Sequence, residues 1–275
     1  MDLYRTWIGV VDSKIDGTIR VTQDAVVWKI DAVYLLGSYT DGTHLPTSDI
    51  DLAFVVSGWV DRIWAEKLQR IIYNRTRSMI GPKLDLYIIP RDEINFQDPK
   101  DLLMREGVIN MMYASRLVWW TEMRGEIWDL PIEDYRALSF ETPLYFMRKV
   151  RWFQLDTPSN SQDLDIPDNL DEYNGYLKFG DTKGILTLIW WICTALVAQK
   201  SSVPIWKKSD VLAAFREHVG GKFLGLVDEA FQLIRAELFY NSPVTENDKL
   251  RLKAICKELI FFEREYLKIY GTIKQ

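Results

Sequence analysis

Tyr34 to Val56 reads YLLGSYTDGTHLPTSDIDLAFVV, and the fold turns on this stretch. Val33 to Leu36 is a short apolar run that ends at Gly37, the pattern of a buried strand closed by a turn. Ten residues after Ser38, Asp49-Ile50-Asp51 opens a second apolar run, Ile50 to Val56. Side chains alternate faces along a strand, so Asp49 and Asp51 share one side while Ile50, Leu52 and Phe54 turn to the core. Further on, Leu84 to Ile89 (LDLYII) is a third strand with Asp85 between Leu84 and Leu86. If neighbouring strands pair at about 4.8 Å, the three carboxylates meet on one patch. Val60 to Met79 carries apolar residues at helical spacing and is stopped by Gly81-Pro82. Strand, strand, helix, strand in that order predicts a small mixed sheet backed by helices.

Three clustered carboxylates repel one another and call for a cation. Mg²⁺ is the natural one, being hard and suited to carboxylate and phosphate oxygens. Two ions about 4 Å apart fit such a set, one for the attacking oxygen and one for a triphosphate. Gly37 permits close approach of the backbone to a phosphate, and Ser38 offers a hydroxyl.

The combination of Gly37-Ser38, a spacer of ten residues, Asp49-Ile50-Asp51 and the later Asp85 resembles the DNA polymerase β-like nucleotidyltransferase superfamily. Within it, YLLGSYTDGTHLPTSDIDL is most similar to the streptomycin/spectinomycin adenylyltransferases. GDTKGILTLIWWICTALV (Gly180 to Val197) and WKKSDVLAAF (Trp206 to Phe215) resemble two further stretches of that family. The resemblance implies ATP as donor, two Mg²⁺ ions on Asp49, Asp51 and Asp85, and Asp85 as the base. It further implies nucleotide contacts from Gly37, Ser38 and Ser48, and a lysine near position 208, for which Lys207, Lys208 and Lys183 are the candidates, and an acceptor contact from Asp181. Glu172 lies in an acidic stretch that would attract a polycation or simply solvate a surface loop. There are departures. The third acid is Asp85 where the family carries Glu, and Trp190 stands where it carries a phosphate-gripping Arg.

The rest of the chain sets the frame. Of 275 residues, 48% are hydrophobic and 27% charged, an ordinary globular mixture that excludes global disorder. The net charge of −5 argues against a nucleic-acid-coating protein. Cys193 and Cys256 sit in apolar stretches and read as buried, reduced thiols. The run Ile185 to Ala198 is shorter than the roughly 20 residues that span a bilayer, and the start lacks a signal-peptide pattern. A cytoplasmic protein without a membrane partner is expected, as a monomer or homodimer.

From Pro99 onward strand signals fade. Leu102 to Trp120 and Thr142 to Phe153 read as helices, and an acidic stretch from Asp156 to Gly175 reads as a linker or loop. Helices are then expected at about 182–200, 209–219, 223–238 and 245–270, with Ser209 and Thr245 as N-caps. His44 reads as a turn residue, and the Trp119-Trp120 and Trp190-Trp191 pairs as core or interface.

The expected architecture is α+β. An N-terminal nucleotidyltransferase domain (1–155), a small mixed sheet with helices, precedes an all-α helical-bundle domain (156–275) that selects the substrate. The expected reaction moves AMP from ATP to a hydroxyl of a small polycationic, aminoglycoside-like acceptor. Two rivals stand beside it: an antitoxin-like nucleotidyltransferase that AMPylates a protein, and a catalytically silent nucleotide-binding regulator.

Overall fold

The structure is a computed structural model, and it describes residues 11–20, 22, 29–40, 42–45, 48–57, 62–76, 82–94, 110–126, 131–150 and 182–273. The chain separates into two compact units, Met1–Asp129 and Leu130–Gln275.

In the first unit the expected strands are present. They are β1 (Lys29–Leu36), β2 (Ile50–Ser57) and β3 (Leu84–Pro90), with α1 (residues 11–20) before them and α2 (Arg62–Thr76) between β2 and β3. A fourth strand, β4 (Arg116–Trp120), completes a mixed sheet in the order β3-β2-β1-β4. β1 runs antiparallel to β2 and β4, whereas β2 and β3 are parallel. The antiparallel β1–β2 connection is the loop 37–49 that carries the Gly37 turn, and the parallel β2–β3 crossover carries α2, as strand direction requires.

Alternation builds two cores on one sheet. Leu35, Leu52, Phe54, Leu86 and Ile88 pack on one face with Val11, Ile15 and Ile19 of α1 and Ile72 of α2. Tyr34, Leu36, Ala53, Val55 and Ile89 pack on the other with Met111 and Met123. Burying each large side chain is worth about 1.5–3 kcal/mol, so this sheet is the stable base of the unit.

β4 corrects the helix expected over Leu102 to Trp120. Among the described residues only 110–113 of that range are helical. RLVWW is β-branched and aromatic, and β1 offers an open edge that pairs Val33 with Trp119 and Tyr34 with Leu117. Trp119 is partly buried against the core, whereas Trp120 is 62% exposed at a positive φ of 69° and lies outside the core.

The second unit is helical: α3 (Ile132–Val150), α4 (Lys183–Ala198), α5 (Lys208–Ala214), α6 (Leu224–Ala230) and α7 (Glu246–Ile273). Wider π-type turns extend α5 over Phe215–Val219 and α6 over Phe231–Glu237. The division after Asp129 differs from a boundary at 155 because α3 packs against α4. Arg136 of α3 donates to Ala198 O at 3.1 Å and Ser201 O at 2.9 Å, closing the C-terminal end of α4. Tyr135 donates to Ile205 O at 2.6 Å, and Tyr266 of α7 donates to Phe140 O. Trp190 and Trp191 are buried in this unit.

Thr245 caps α7 as expected, accepting the Asp248 N–H at 3.1 Å. Ser209 does not cap α5. Lys207 occupies the N-cap, and the Ser209 hydroxyl bonds to Asp210 Oδ1 at 3.1 Å. Burial pushes the Cys256 thiol up to about 12 and raises Cys193 as well, so neither thiol is a ready nucleophile.

One polar clamp secures β1 to the segment after β4. Tyr34 donates to Glu122 Oε1 at 3.0 Å and accepts the Met123 N–H at 2.7 Å, while Arg124 grips Glu122 through both nitrogens at 2.6 and 2.8 Å. The Arg124 guanidinium holds the Glu122 carboxyl down at about 2. A depressed carboxylate contributes stability that is full above its unfolded value of about 4.3 and is lost as pH falls toward 2. Glu122→Gln should therefore flatten the acid limb of the stability profile between about pH 4.5 and 2, read by thermal unfolding across pH. An unchanged limb would show that the clamp contributes nothing to folding.

Candidate active site

The carboxylates come together through strand register. The parallel ladder sets Asp51 opposite Asp85, and the Ile50 N–H donates to Lys83 O at 2.7 Å at its start. Asp49 lies two residues before Asp51 and so faces the same side. Asp49, Asp51 and Asp85 each offer a carboxylate oxygen within 4.8 Å of the others; Asp49 and Asp51 are half-buried and Asp85 is exposed. This all-oxygen donor set fits a hard divalent cation such as Mg²⁺.

Gly37 closes the other side of the patch. The antiparallel register places Leu36 opposite Asp51, so the turn after β1 lies against the second carboxylate. Gly37 has φ +66°, and a Cβ built there would run into Asp51 Oδ2. Glycine is required twice, for the backbone conformation and for the space. Ser38, half-buried, follows in the same tight turn.

The loop back to β2 is held by local bonds. Thr40 donates through its N–H at 3.0 Å and its hydroxyl at 2.6 Å to Gly37 O, and its hydroxyl lies 3.3 Å from Ala114 O. Sequence reasoning passed over Thr40, although a hydroxyl three residues after a turn glycine is the signal of such a bond. His44 stacks on Tyr39 with ring centroids 4.3 Å apart and planes 11° from parallel. Ser48 is buried, accepts the Leu45 N–H at 2.9 Å and returns its own N–H to Leu45 O at 2.9 Å. The Ser48 hydroxyl thus shapes the turn that delivers Asp49.

The remaining candidates belong elsewhere in the chain. Lys207 and Lys208 are in the second unit, at the start of α5, and Lys183 is the exposed first residue of α4. Lys208 Nζ lies 4.9 Å from the centroid of the Trp190 ring, a cation–π contact. Asp181, Glu172 and the acidic stretch 156–175 lie outside the described residues.

A segment with this strand order and this carboxylate set belongs to a known class of domain. Residues 21–110 match the family model described as a nucleotidyltransferase domain, a segment that contains Gly37, Ser38, Asp49, Asp51 and Asp85. The chain therefore carries a nucleotidyltransferase domain and is assigned to the transferases. The likeness extends further in three dimensions. A spectinomycin adenyltransferase, AAD(9), from Enterococcus faecialis, solved with ATP and spectinomycin, is similar with a TM-score of 0.57 and 14% identity, covering 93% of this chain and 98% of that one. It shares the fold through both units. A toxin-antitoxin structure with AMP-PNP covers 50% of this chain and 92% of its own at 21% identity, with a TM-score of 0.29. No curated protein matches the sequence.

Gly37→Ala should disturb the patch from its flank. The left-handed conformation costs about 1–2 kcal/mol for a non-glycine residue, and the new methyl pushes Asp51 aside. The expected result is a lower melting temperature together with Mn²⁺ binding weakened at least tenfold, read by calorimetric titration. Asp51→Asn should also lose metal, but with a melting temperature equal to or above the parent's, because it relieves like-charge repulsion. A Gly37→Ala protein that binds Mn²⁺ like the parent would disprove the flanking role.

Proposed function

We propose that this chain transfers AMP from ATP to a hydroxyl of a small cationic acceptor of the aminoglycoside type and releases pyrophosphate. The carrying observation is the carboxylate set Asp49, Asp51 and Asp85 beside the Gly37 turn. The reading adopts magnesium as the metal, with two ions, and the cytoplasm as the place where ATP is met.

Asp49 and Asp51 are the residues that would hold both ions, and Asp85 would share in holding the catalytic one. Bound there, the metal supplies charge neutralisation at the triphosphate and acidifies the acceptor hydroxyl. Gly37 and Ser38 meet the β- and γ-phosphates through backbone N–H groups and the Ser38 hydroxyl. Asp85, the exposed member, takes the proton from the acceptor hydroxyl. The acceptor oxygen forms a bond to the α-phosphorus as the bond from that phosphorus to the β-bridging oxygen breaks, and pyrophosphate leaves with those electrons. Lys207 and Lys208 are assigned to the triphosphate. Asp181 and Glu172 are assigned to the ammonium groups of the acceptor, which acidic side chains attract.

Asp85→Asn should lose far more in turnover than in ATP affinity, because Asp49 and Asp51 keep the nucleotide side intact. General-base loss is typically worth a factor of about 10²–10⁴ in rate. A collapse of ATP affinity instead would make Asp85 chiefly a nucleotide-site ligand. The acceptor class is tested by calorimetric titration of streptomycin, spectinomycin and a neutral sugar with MgATP present, alongside pyrophosphate release. Asp181→Asn should weaken binding of the cationic acceptors by roughly one to two orders of magnitude, as loss of a charge-assisted hydrogen bond does. Equal heat from the neutral sugar, or heat from none of the three, would end the aminoglycoside assignment.

A further inference from the structure

Helix α7 runs 28 residues, from Glu246 to Ile273. Leu252, Ile255, Leu259, Phe262 and Tyr266 bury one side of it. The other side carries a groove of about 590 Å³, walled by Phe223 and floored by Ala254 and Phe261 of α7. Phe261 stands at its middle and is 49% exposed. A lone exposed phenylalanine is ordinary on a protein surface. What distinguishes this one is the order of the charges around it.

Lys257 and Glu258 lie four and three residues before Phe261, and Arg264 and Glu265 lie three and four residues after it, all on the groove. Residues three and four apart share a helix face. The face therefore reads plus, minus, Phe261, plus, minus. Turned end for end by a two-fold axis through Phe261, this order is its own complement. Glu258 of one copy meets Arg264 of the other, and Lys257 meets Glu265. A parallel pairing in register would set like charges together. Among the described residues Lys257 and Glu258 make no hydrogen bond or ion pair within the chain. Glu265 is held at the groove by Lys268 at 2.9 Å and Lys222 at 3.5 Å, and a carboxylate has acceptor sites left for a third donor.

We propose that this face is a homodimer contact, in which α7 packs antiparallel on α7 of a second copy with both Phe261 rings at the axis. The rings fill the groove beside Phe223, and the two charge pairs on either side fix the register. Little apolar surface is available, so the contact belongs to the weak, reversible class. It is independent of the reaction assigned to the first unit.

Sedimentation velocity on the full chain, from micromolar to millimolar protein, tests it. A monomer–dimer equilibrium that moves with concentration is expected. Glu258→Arg and Arg264→Glu should each weaken association at least about tenfold, because each sets like charges face to face and the two-fold axis doubles the change. Mixed in equal amounts, the two variants should associate again, since every facing pair is then opposite in sign. Lys257→Glu, at an exposed site without a bond in the single chain, should also weaken association while the melting temperature stays at the parent's. A chain that remains monomeric at millimolar concentration overturns the proposal and leaves the groove to a foreign partner. A dimer that Lys257→Glu and Glu258→Arg leave intact overturns it as well, by placing the contact on another face. Folded variants that stay apart on mixing overturn the antiparallel register.

Discussion

The pairing of Asp51 with Asp85 across the parallel β2–β3 ladder is the constraint on which the site depends. Two like charges are held in register by backbone hydrogen bonds they do nothing to favour. At the separation of 4.8 Å within which the three carboxylates lie, each pair costs about 1 kcal/mol in a water-like medium and about 3–4 kcal/mol at an effective dielectric near 20. Against this stand Leu52, Phe54, Val55, Ile88 and Ile89, all buried in the same two strands and each worth about 1.5–3 kcal/mol. The hydrophobic term clearly exceeds the repulsion in a water-like medium, where the exposed Asp85 sits, and matches it at the lower dielectric. The sheet can therefore hold three anions at its margin, and a divalent cation finds its ligands already placed.

The same register explains why Gly37 is where it is. β1 must end where β2 begins, because the two are antiparallel and Leu36 pairs with Asp51. Any side chain at the next position would enter the space Asp51 occupies. The turn and the acid are one construction, and the loop between them is stiffened by Thr40, by the Tyr39–His44 stack and by the Leu45–Ser48 bonds.

Much of this was legible in the sequence because strand periodicity is a local signal. Alternation in IDLAFVV and LDLYII fixes which residues face the core, and the acids fall on the opposite phase. β4 was not legible: residues 116–120 are too short for a period, and only the open edge of β1 makes them a strand. Helix α1 had a readable stripe at Val11, Ile15 and Ile19, but Gly17 within it lowers helix propensity and obscured it.

Trp190 shows how a departure from a family pattern can be accommodated chemically. An arginine at this point of α4 would present a charge, whereas Trp190 is 8% exposed and presents a ring. Lys208 lies over that ring. A cation on an aromatic face is attracted without being neutralised, so it keeps most of its charge for a second partner while its position is restricted. Lys208, at the start of α5, thus sets its ammonium group against the ring of Trp190. An ammonium group held this way is a point charge with three donors, unable to make the two-pronged grip of a guanidinium.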